Sequence, residues 1–168
     1  MYNIKNVEEL YLFMKNNIKY GFINGDKEKC IRKELGDKLY EEILFSNYYL
    51  QSPDELLKSK LGLCFDQVEF ERSWFLKHNY KVLTYYTTYH NHAFLIYIDD
   101  KYHLFERTIK AYNGIYDFNS LEEAINFYIK KQEEIASKKL DIKLYQYEKL
   151  EYGSNFEKIK KKILSRYN

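Results

Sequence analysis

The chain has 168 residues and a formal net charge of +2, from 27 lysines and arginines against 25 aspartates and glutamates. This length suits one domain whose core needs no metal or disulfide to stabilise it. Two cysteines are too few for a disulfide scaffold, the balanced charge argues against a dedicated nucleic-acid binder, and no apolar run approaches the ~18 residues of a membrane span. The N-terminal segment MYNIKNVEEL lacks the apolar core of a secretory signal, so we expect a cytoplasmic protein.

The first part of the chain has the periodicity of helices. Apolar residues at helical spacing predict one helix over 6–20 and a second over about 26–45, capped by Asp26. A short third helix is expected to start at Ser52, which is followed by proline at the first helical position and by Glu55 at the capping-box position. A fourth helix is predicted over 64–78.

The period changes after this helix. Segments 81–89 and 92–98 are rich in β-branched and aromatic residues and predict strands, and a tight turn at 99–101 leads into a third strand over 102–107. Four further elements are expected: an irregular or short strand over 112–118, a helix over 120–138, an edge strand within 141–150 and a basic amphipathic helix over 155–167. This order predicts an α+β fold with N-terminal helices packed on an antiparallel sheet.

Cys64 is the first candidate for chemistry, because it follows Gly62 at the start of a predicted helix. A thiol there faces unpaired backbone N–H groups and the positive end of the helix dipole, which favour a thiolate, and the same N–H groups can serve as oxyanion donors. The alternative is a small buried hydrophobe, the usual fate of a free cysteine. Cys30, on the apolar face of the predicted second helix, is expected to be such a core residue.

Two further side chains are expected to lie near Cys64. His92 opens one predicted strand, Glu106 closes the next, and the turn between these strands makes them neighbours. Directly opposed side chains in an antiparallel pair lie ~4.5–5.5 Å apart, so Glu106 is expected opposite His92 or close to it. In that arrangement His92 is the general base toward Cys64, and Glu106 fixes the ring tautomer and stabilises the imidazolium.

Other polar residues are expected to have supporting or structural roles. Asp66 should brace the start of the helix, and Gln51 is either an oxyanion donor or a polar residue before a helix cap. His90 shares a predicted strand face with His92 and could form a metal-binding pair, but no carboxylate follows at the required spacing, so no metal is expected. Two other histidines are expected at the surface: His78 and His103.

These residues carry a resemblance to a known family. Segment 62–66, GLCFD, matches the G-x-C-x-D core of the transglutaminase-like superfamily, a branch of the papain-like cysteine enzymes. Segment 92–97 resembles its histidine strand and 105–108 its acidic strand, with Glu106 where the family usually has aspartate and Phe94 where tryptophan is common. The resemblance implies a papain/transglutaminase-like fold, with residues 1–168 forming a single transglutaminase-like domain. Its core would span about 50–138, with the C-terminal strand and helix appended.

The resemblance also implies acyl transfer at an amide or ester bond through a thioester on Cys64, with no metal or organic cofactor and no membrane. The family includes proteases, amidases, deamidases, cross-linking enzymes and inactive members, so the substrate is a peptide, a protein or a small amide. Two alternatives remain open. One is a catalytically inactive binding module on the same fold, and the other is a nucleic-acid binder that uses tyrosine-rich strands and the basic helix over 155–167.

Overall fold

The fold is α+β, and the computed structural model describes residues 3–168, so the first two residues of the segment MYNIKNVEEL lie outside it. The helices are α1 (Val7–Asn17), α2 (Arg32–Leu35), α3 (Asp37–Asn47), α4 (Pro53–Ser59), α5 (Cys64–Lys77), α6 (Leu121–Ala136) and α7 (Phe156–Leu164). The strands are β1 (Lys19–Tyr20), β2 (Phe22–Asn24), β3 (Lys29–Cys30), β4 (Tyr48–Tyr49), β5 (Leu61–Gly62), β6 (Lys81–Thr87), β7 (His92–Ile98), β8 (Tyr102–Glu106), β9 (Gly114–Phe118) and β10 (Tyr145–Tyr147). Across residues 3–168, every helix is too short or too polar to span a bilayer.

Local capping groups explain where several helices begin. Ser52 and Glu55 form the predicted capping box at α4, with the Glu55 N–H donating to the Ser52 hydroxyl and the Ser52 N–H donating to the Glu55 carboxylate. Asn6 caps α1 and Ser120 caps α6, each by accepting a backbone N–H three residues later. Helix α5 begins at Cys64, as predicted. Each cap satisfies an N–H group that the helix itself leaves unpaired.

The helix predicted over 26–45 is wrong in its first part. The side-chain oxygen of Asn24 accepts the N–H groups of Asp26 and Glu28, and this closes a hairpin between β2 and β3. Asp26 therefore lies in a turn and caps no helix, because asparagine side chains compete with helical bonding in this way. Cys30 is buried, as expected, but it lies on strand β3 and not on a helix face.

A five-stranded antiparallel sheet lies at the centre of the fold, in the order β10-β6-β7-β8-β9. The turn between β7 and β8 is closed by Asp99, whose carboxylate accepts the N–H of Lys101. This turn sets the register, in which Leu95 pairs with Phe105. Strand β10 is an edge strand beside β6, as the sequence predicted.

Alternate residues of β7 face two different hydrophobic clusters. Leu95 belongs to the cluster that contains residues of α1 and α5, whereas Phe94 belongs to the cluster that contains residues of α6. The Phe94 ring stacks on Tyr128 of α6 with 4.0 Å between ring centroids. Side chains two residues apart on a strand share a face, so His92 at the start of β7 lies on the same face as Phe94. The His92 ring also lies parallel to the ring of Tyr128.

His103 is not the surface residue that the sequence predicted, since only 8% of it is exposed. Its Nε2 lies 2.6 Å from Asp99 Oδ1 and its Nδ1 lies 2.7 Å from Asp117 Oδ1, while the ring stacks on Tyr97. Asp99, Asp100 and His103 are close enough to share a cation. Both nitrogens of His103 face carboxylates, however, so this ring is an imidazolium with no lone pair for a metal.

We expect the His103→Gln variant to lower the free energy of unfolding by about 1 kcal/mol at pH 6 and by less at pH 9. Burial lowers the pKa of His103, but hydrogen bonds to Asp99 and Asp117 outweigh it and raise that pKa. The stabilising free energy from His103 is therefore complete below the pKa of about 6.5 that the histidine has in the unfolded chain. It is lost as the pH rises through the raised pKa of the folded state. Urea denaturation at both pH values measures this, with exposed His78→Gln as control. An equal loss at both pH values would contradict it.

Candidate functional site

Cys64 is the first residue of α5, and its position is fixed by a buried carboxylate. The N–H of Leu63 donates to Asp66 Oδ2 over 2.9 Å, and the N–H of Gln51 donates to Asp66 Oδ1 over 2.9 Å. Asp66 therefore ties the start of α5 to the segment that precedes α4. Burial raises the pKa of Asp66 to about 7, although both backbone N–H groups oppose this shift. Asp66 thus braces the start of α5, as the sequence suggested.

Gln51 has a supporting position and is not a free oxyanion donor. Its side-chain Nε2 donates to the carbonyl of Leu61 over 2.7 Å, and its backbone N–H is taken by Asp66. Among residues 3–168, no group accepts the backbone N–H of Cys64. That N–H group is therefore free to donate to an oxygen atom placed beside the thiol.

His92 and Glu106 meet at the ends of neighbouring strands, with His92 Nε2 2.9 Å from Glu106 Oε2. The pairing of Leu95 with Phe105 places Glu106 level with Phe94, so His92 and Glu106 are diagonal neighbours on one face and not directly opposed. Diagonal neighbours lie ~7–8 Å apart, which exceeds the spacing of opposed residues. The glutamate side chain spans this diagonal, and aspartate would be one methylene shorter.

The second oxygen of Glu106 is held by the loop after β8. Glu106 Oε1 accepts the N–H of Thr108 over 2.8 Å, the hydroxyl of Thr108 over 3.1 Å and the N–H of Ile109 over 3.1 Å. Burial raises the pKa of Glu106, but His92 and these backbone N–H groups outweigh burial and lower it. Glu106 is therefore an ionised carboxylate that cannot rotate away from His92 without losing three hydrogen bonds.

The protonation of His92 follows from its two neighbours. Burial lowers the pKa of His92, but the charge of Glu106 and a hydrogen bond with the Cys64 side chain outweigh burial and raise that pKa to about 10. Because Nε2 is committed to Glu106, Nδ1 is the ring nitrogen that remains for Cys64. The ring is thus charged at neutral pH, and Glu106 holds its Nε2 side at 2.9 Å.

A short 3₁₀ turn, Tyr89–Asn91, precedes the His92 strand and forms one wall of the site. His90 and Asn91 have φ values of 55° and 50°, in the left-handed region that is costly for residues other than glycine. The turn is held by the Tyr86 hydroxyl, which donates to Asn91 Oδ1 over 2.8 Å. The Cys64 thiol in turn lies 3.8 Å from the carbonyl oxygen of Asn91.

This turn corrects one alternative from the sequence. His90 was expected on the same strand face as His92, but β7 begins only at His92 and His90 lies in the turn before it. The paired-histidine metal site therefore does not form. His90 and Asn91 instead line the cleft beside Cys64.

The cleft beside Cys64 has a volume of about 280 Å³. Its walls are largely aromatic, and the aromatic side chains come from β1, α3, α5 and α7: Tyr20, Tyr40, Phe45, Phe65 and Phe156. Arg32 and Glu41 supply two charges and form an ion pair with each other at 3.2 Å. Only 4% of Cys64 is exposed, and its side chain lines this cleft.

A further carboxyl group near the site is that of Glu71, for which the sequence suggested no role. Glu71 is seven residues after Cys64 on α5 and is buried. Burial, followed by the negative charge of Glu106, raises the pKa of Glu71, although Arg107 and His92 oppose the shift. The helical spacing from Cys64 was visible in the sequence, but the proximity of Glu71 to Glu106 depends on how α5 packs on the sheet.

Comparisons with protein-family models, with curated proteins and with solved structures gave no significant match for this chain. The geometry of Cys64, His92 and Glu106 is therefore the basis on which a function can be proposed.

We expect iodoacetamide at pH 7 to label Cys64 at least about tenfold faster than Cys30. Cys64 lies at a helix N-terminus beside a charged imidazole and lines an open cleft, whereas burial, followed by the charge of Glu28, raises the pKa of Cys30. Labelling of Cys64 should slow strongly in His92→Ala and less in Glu106→Gln, since the latter keeps the ring. Peptide mapping after brief labelling gives both rates, and Cys30→Ala is the control. Equal labelling of both cysteines, unchanged by His92→Ala, would contradict an activated thiol.

Proposed function

We propose that this protein is a cysteine-dependent acyl-transfer enzyme that acts on an amide or ester bond. The observation that carries the proposal is the arrangement of three side chains: a thiol at a helix N-terminus, an imidazole beside it, and a carboxylate 2.9 Å from the far ring nitrogen. This is the combination of nucleophile, base and orienting group that covalent catalysis needs. The substrate is a peptide, a protein or a small amide.

The proposed reaction begins with a thiolate on Cys64 and an imidazolium on His92. The sulfur attacks the carbonyl carbon, and the Cys64 N–H donates to the oxyanion that forms. His92 then gives its Nδ1 proton to the departing amine or alcohol, which leaves a thioester on the sulfur. Water or an amine loses a proton to His92, attacks the thioester and releases the acyl group, so the enzyme returns to its starting state.

The architecture supports a papain/transglutaminase-like assignment as part of the same proposal. In this chain the nucleophile begins a helix, α5, that packs on an antiparallel sheet, and the base and the acid lie on adjacent strands of that sheet. The departure at Glu106 is compatible with this assignment, because the longer side chain spans a diagonal of the sheet. Nothing in the proposed chemistry requires a metal or an organic cofactor.

The first test is acylation by 4-nitrophenyl acetate. We expect a burst of 4-nitrophenol and an acetyl group on Cys64 by intact-protein and peptide mass spectrometry, because a thioester precedes turnover. Cys64→Ser should abolish the burst, and His92→Ala should slow it by about 10³-fold or more. Cys30→Ala should acylate normally. A wild-type protein that acquires no acetyl group on Cys64 would refute the enzyme proposal and favour the inactive binding module.

The pH dependence of amide hydrolysis tests the role of Glu106. Its charge holds the pKa of His92 above the ordinary value, so wild-type activity should fall at high pH as His92 loses its proton. In Glu106→Gln we expect this alkaline limb to move to lower pH, together with a smaller kcat than in the wild type. Steady-state rates between pH 5 and 10 measure the shift, with the distant exposed substitution His78→Gln as control. An alkaline limb that stays in place would remove Glu106 from the mechanism.

A further inference from the structure

A second cavity, of about 200 Å³, lies beside the Cys64 cleft. Gln67 lines it from α5, three residues after Cys64 and hence on the same side of the helix. Arg107 and Lys110 line it from the segment that follows β8. Tyr20 lines both this cavity and the Cys64 cleft, so the two spaces are neighbours with one side chain between them.

The cavity carries positive charge that the surrounding chain leaves unpaired. Within residues 3–168, neither Arg107 nor Lys110 forms an ion pair. The Nε of Arg107 is buried without a hydrogen-bond partner, and the guanidinium lies 5.4 Å from the centre of the Tyr11 ring. Two carboxyl groups lie near enough to Arg107 to matter: Glu106 has both oxygens committed to other donors, and burial raises the pKa of Glu71, which favours its neutral form. Two cations on one small cavity therefore favour an anionic ligand.

A buried amide supplies a second and independent indication. Only 2% of Gln67 is exposed, and its Nε2 donates to the carbonyl of Gly62 over 2.9 Å. Its Oε1 is buried and accepts no hydrogen bond from any described group. Buried polar atoms are nearly always paired, so the unpaired oxygen of a side chain that lines the cavity favours a ligand that brings a donor. A ligand with an N–H group next to an anionic group would pair with both the oxygen of Gln67 and the two cations.

We propose that this cavity binds a carboxylate of the substrate, with Arg107 and Lys110 as its cationic partners and Gln67 as the acceptor for a neighbouring N–H. The proposal rests on the proposed function and names its substrate class: amides or esters that carry a carboxylate a few bonds from the reacting carbonyl. The planar guanidinium of Arg107 offers paired donors that match a carboxylate. Because Tyr20 lines both spaces, a carboxylate in this cavity would lie one side chain away from the cleft that Cys64 lines.

The test compares esters that differ only in charge. Mono(4-nitrophenyl) glutarate and adipate carry a free carboxylate, and their methyl esters are neutral counterparts with the same acyl chains. In the wild type we expect one of the charged esters to acylate Cys64 with a kcat/KM at least about tenfold above that of its neutral counterpart. Arg107→Gln and Lys110→Gln should each reduce this ratio several-fold, and the double variant should bring it close to one. The rate with the neutral ester reports any general loss of activity, so the ratio of the two rates is the readout for each variant.

The control variant is Lys130→Gln, which removes one exposed positive charge from α6. Lys130→Gln should leave the ratio of kcat/KM for the charged and neutral esters unchanged. If this variant lowers the ratio as much as Arg107→Gln does, net charge explains the effect and the proposed site is overturned. Equal rates for charged and neutral esters in the wild type would also overturn it, while acylation of Cys64 would still uphold the proposed function. Lys110 is exposed, so its variant tests the site even if Arg107→Gln does not fold.

If no ester acylates Cys64, the proposed function fails. A direct binding measurement then tests whether the cavity binds a carboxylate. Titration of the full chain with glutarate at low salt, followed by backbone amide NMR, should then show saturable shifts around Gln67 and Lys110. These shifts should be lost in Arg107→Gln. Their absence from the wild type would overturn the anion site itself.

Discussion

The buried carboxylate of Glu106 is the constraint on which the candidate site depends. An ionised group away from water is costly unless every lone pair has a partner. Glu106 meets this requirement with His92 on one oxygen and with Thr108 and Ile109 on the other. Because these partners come from the start of β7 and from the loop after β8, one side chain fixes the strand ends, the ring orientation and the path of the following segment.

Close packing at Gly62 fixes the other half of the site. A Cβ at this position would lie 2.6 Å from Leu56 Cδ1 and 2.9 Å from Asp66 Cβ, so only glycine allows α4 to approach the start of α5 this closely. Gly62 also pairs with Tyr20 across the short parallel pair β1–β5. In the sequence this glycine is notable as the residue just before the predicted start of a helix. In the folded chain it brings the N-terminal strand, and with it Tyr20, next to the nucleophile.

The parts of this structure that the sequence predicts well depend on local rules. The β7–β8 hairpin follows from the change of period and a turn at Asp99, and α4 follows from its capping box at Ser52. The predicted helix over 26–45 failed at its start because one asparagine side chain diverts the backbone into a turn. His103 was misplaced because its partner Asp117 comes from β9, and no local pattern reports that contact. The diagonal placement of Glu106 likewise depends on register, which sequence spacing bounds to within a residue or two.

Two buried carboxyl groups near Cys64 differ in their charge states because their surroundings differ. Glu106 is ionised because His92 and backbone N–H groups face it, whereas burial and the charge of Glu106 raise the pKa of Glu71 and favour its neutral form. If both were charged, the site would hold two negative charges against the single positive charge of His92. A raised pKa at Glu71 therefore leaves the imidazolium of His92 to balance Glu106 alone. In the proposed reaction Glu71 contacts neither substrate nor sulfur, and its effect is to keep a second negative charge away from the place where negative charge develops.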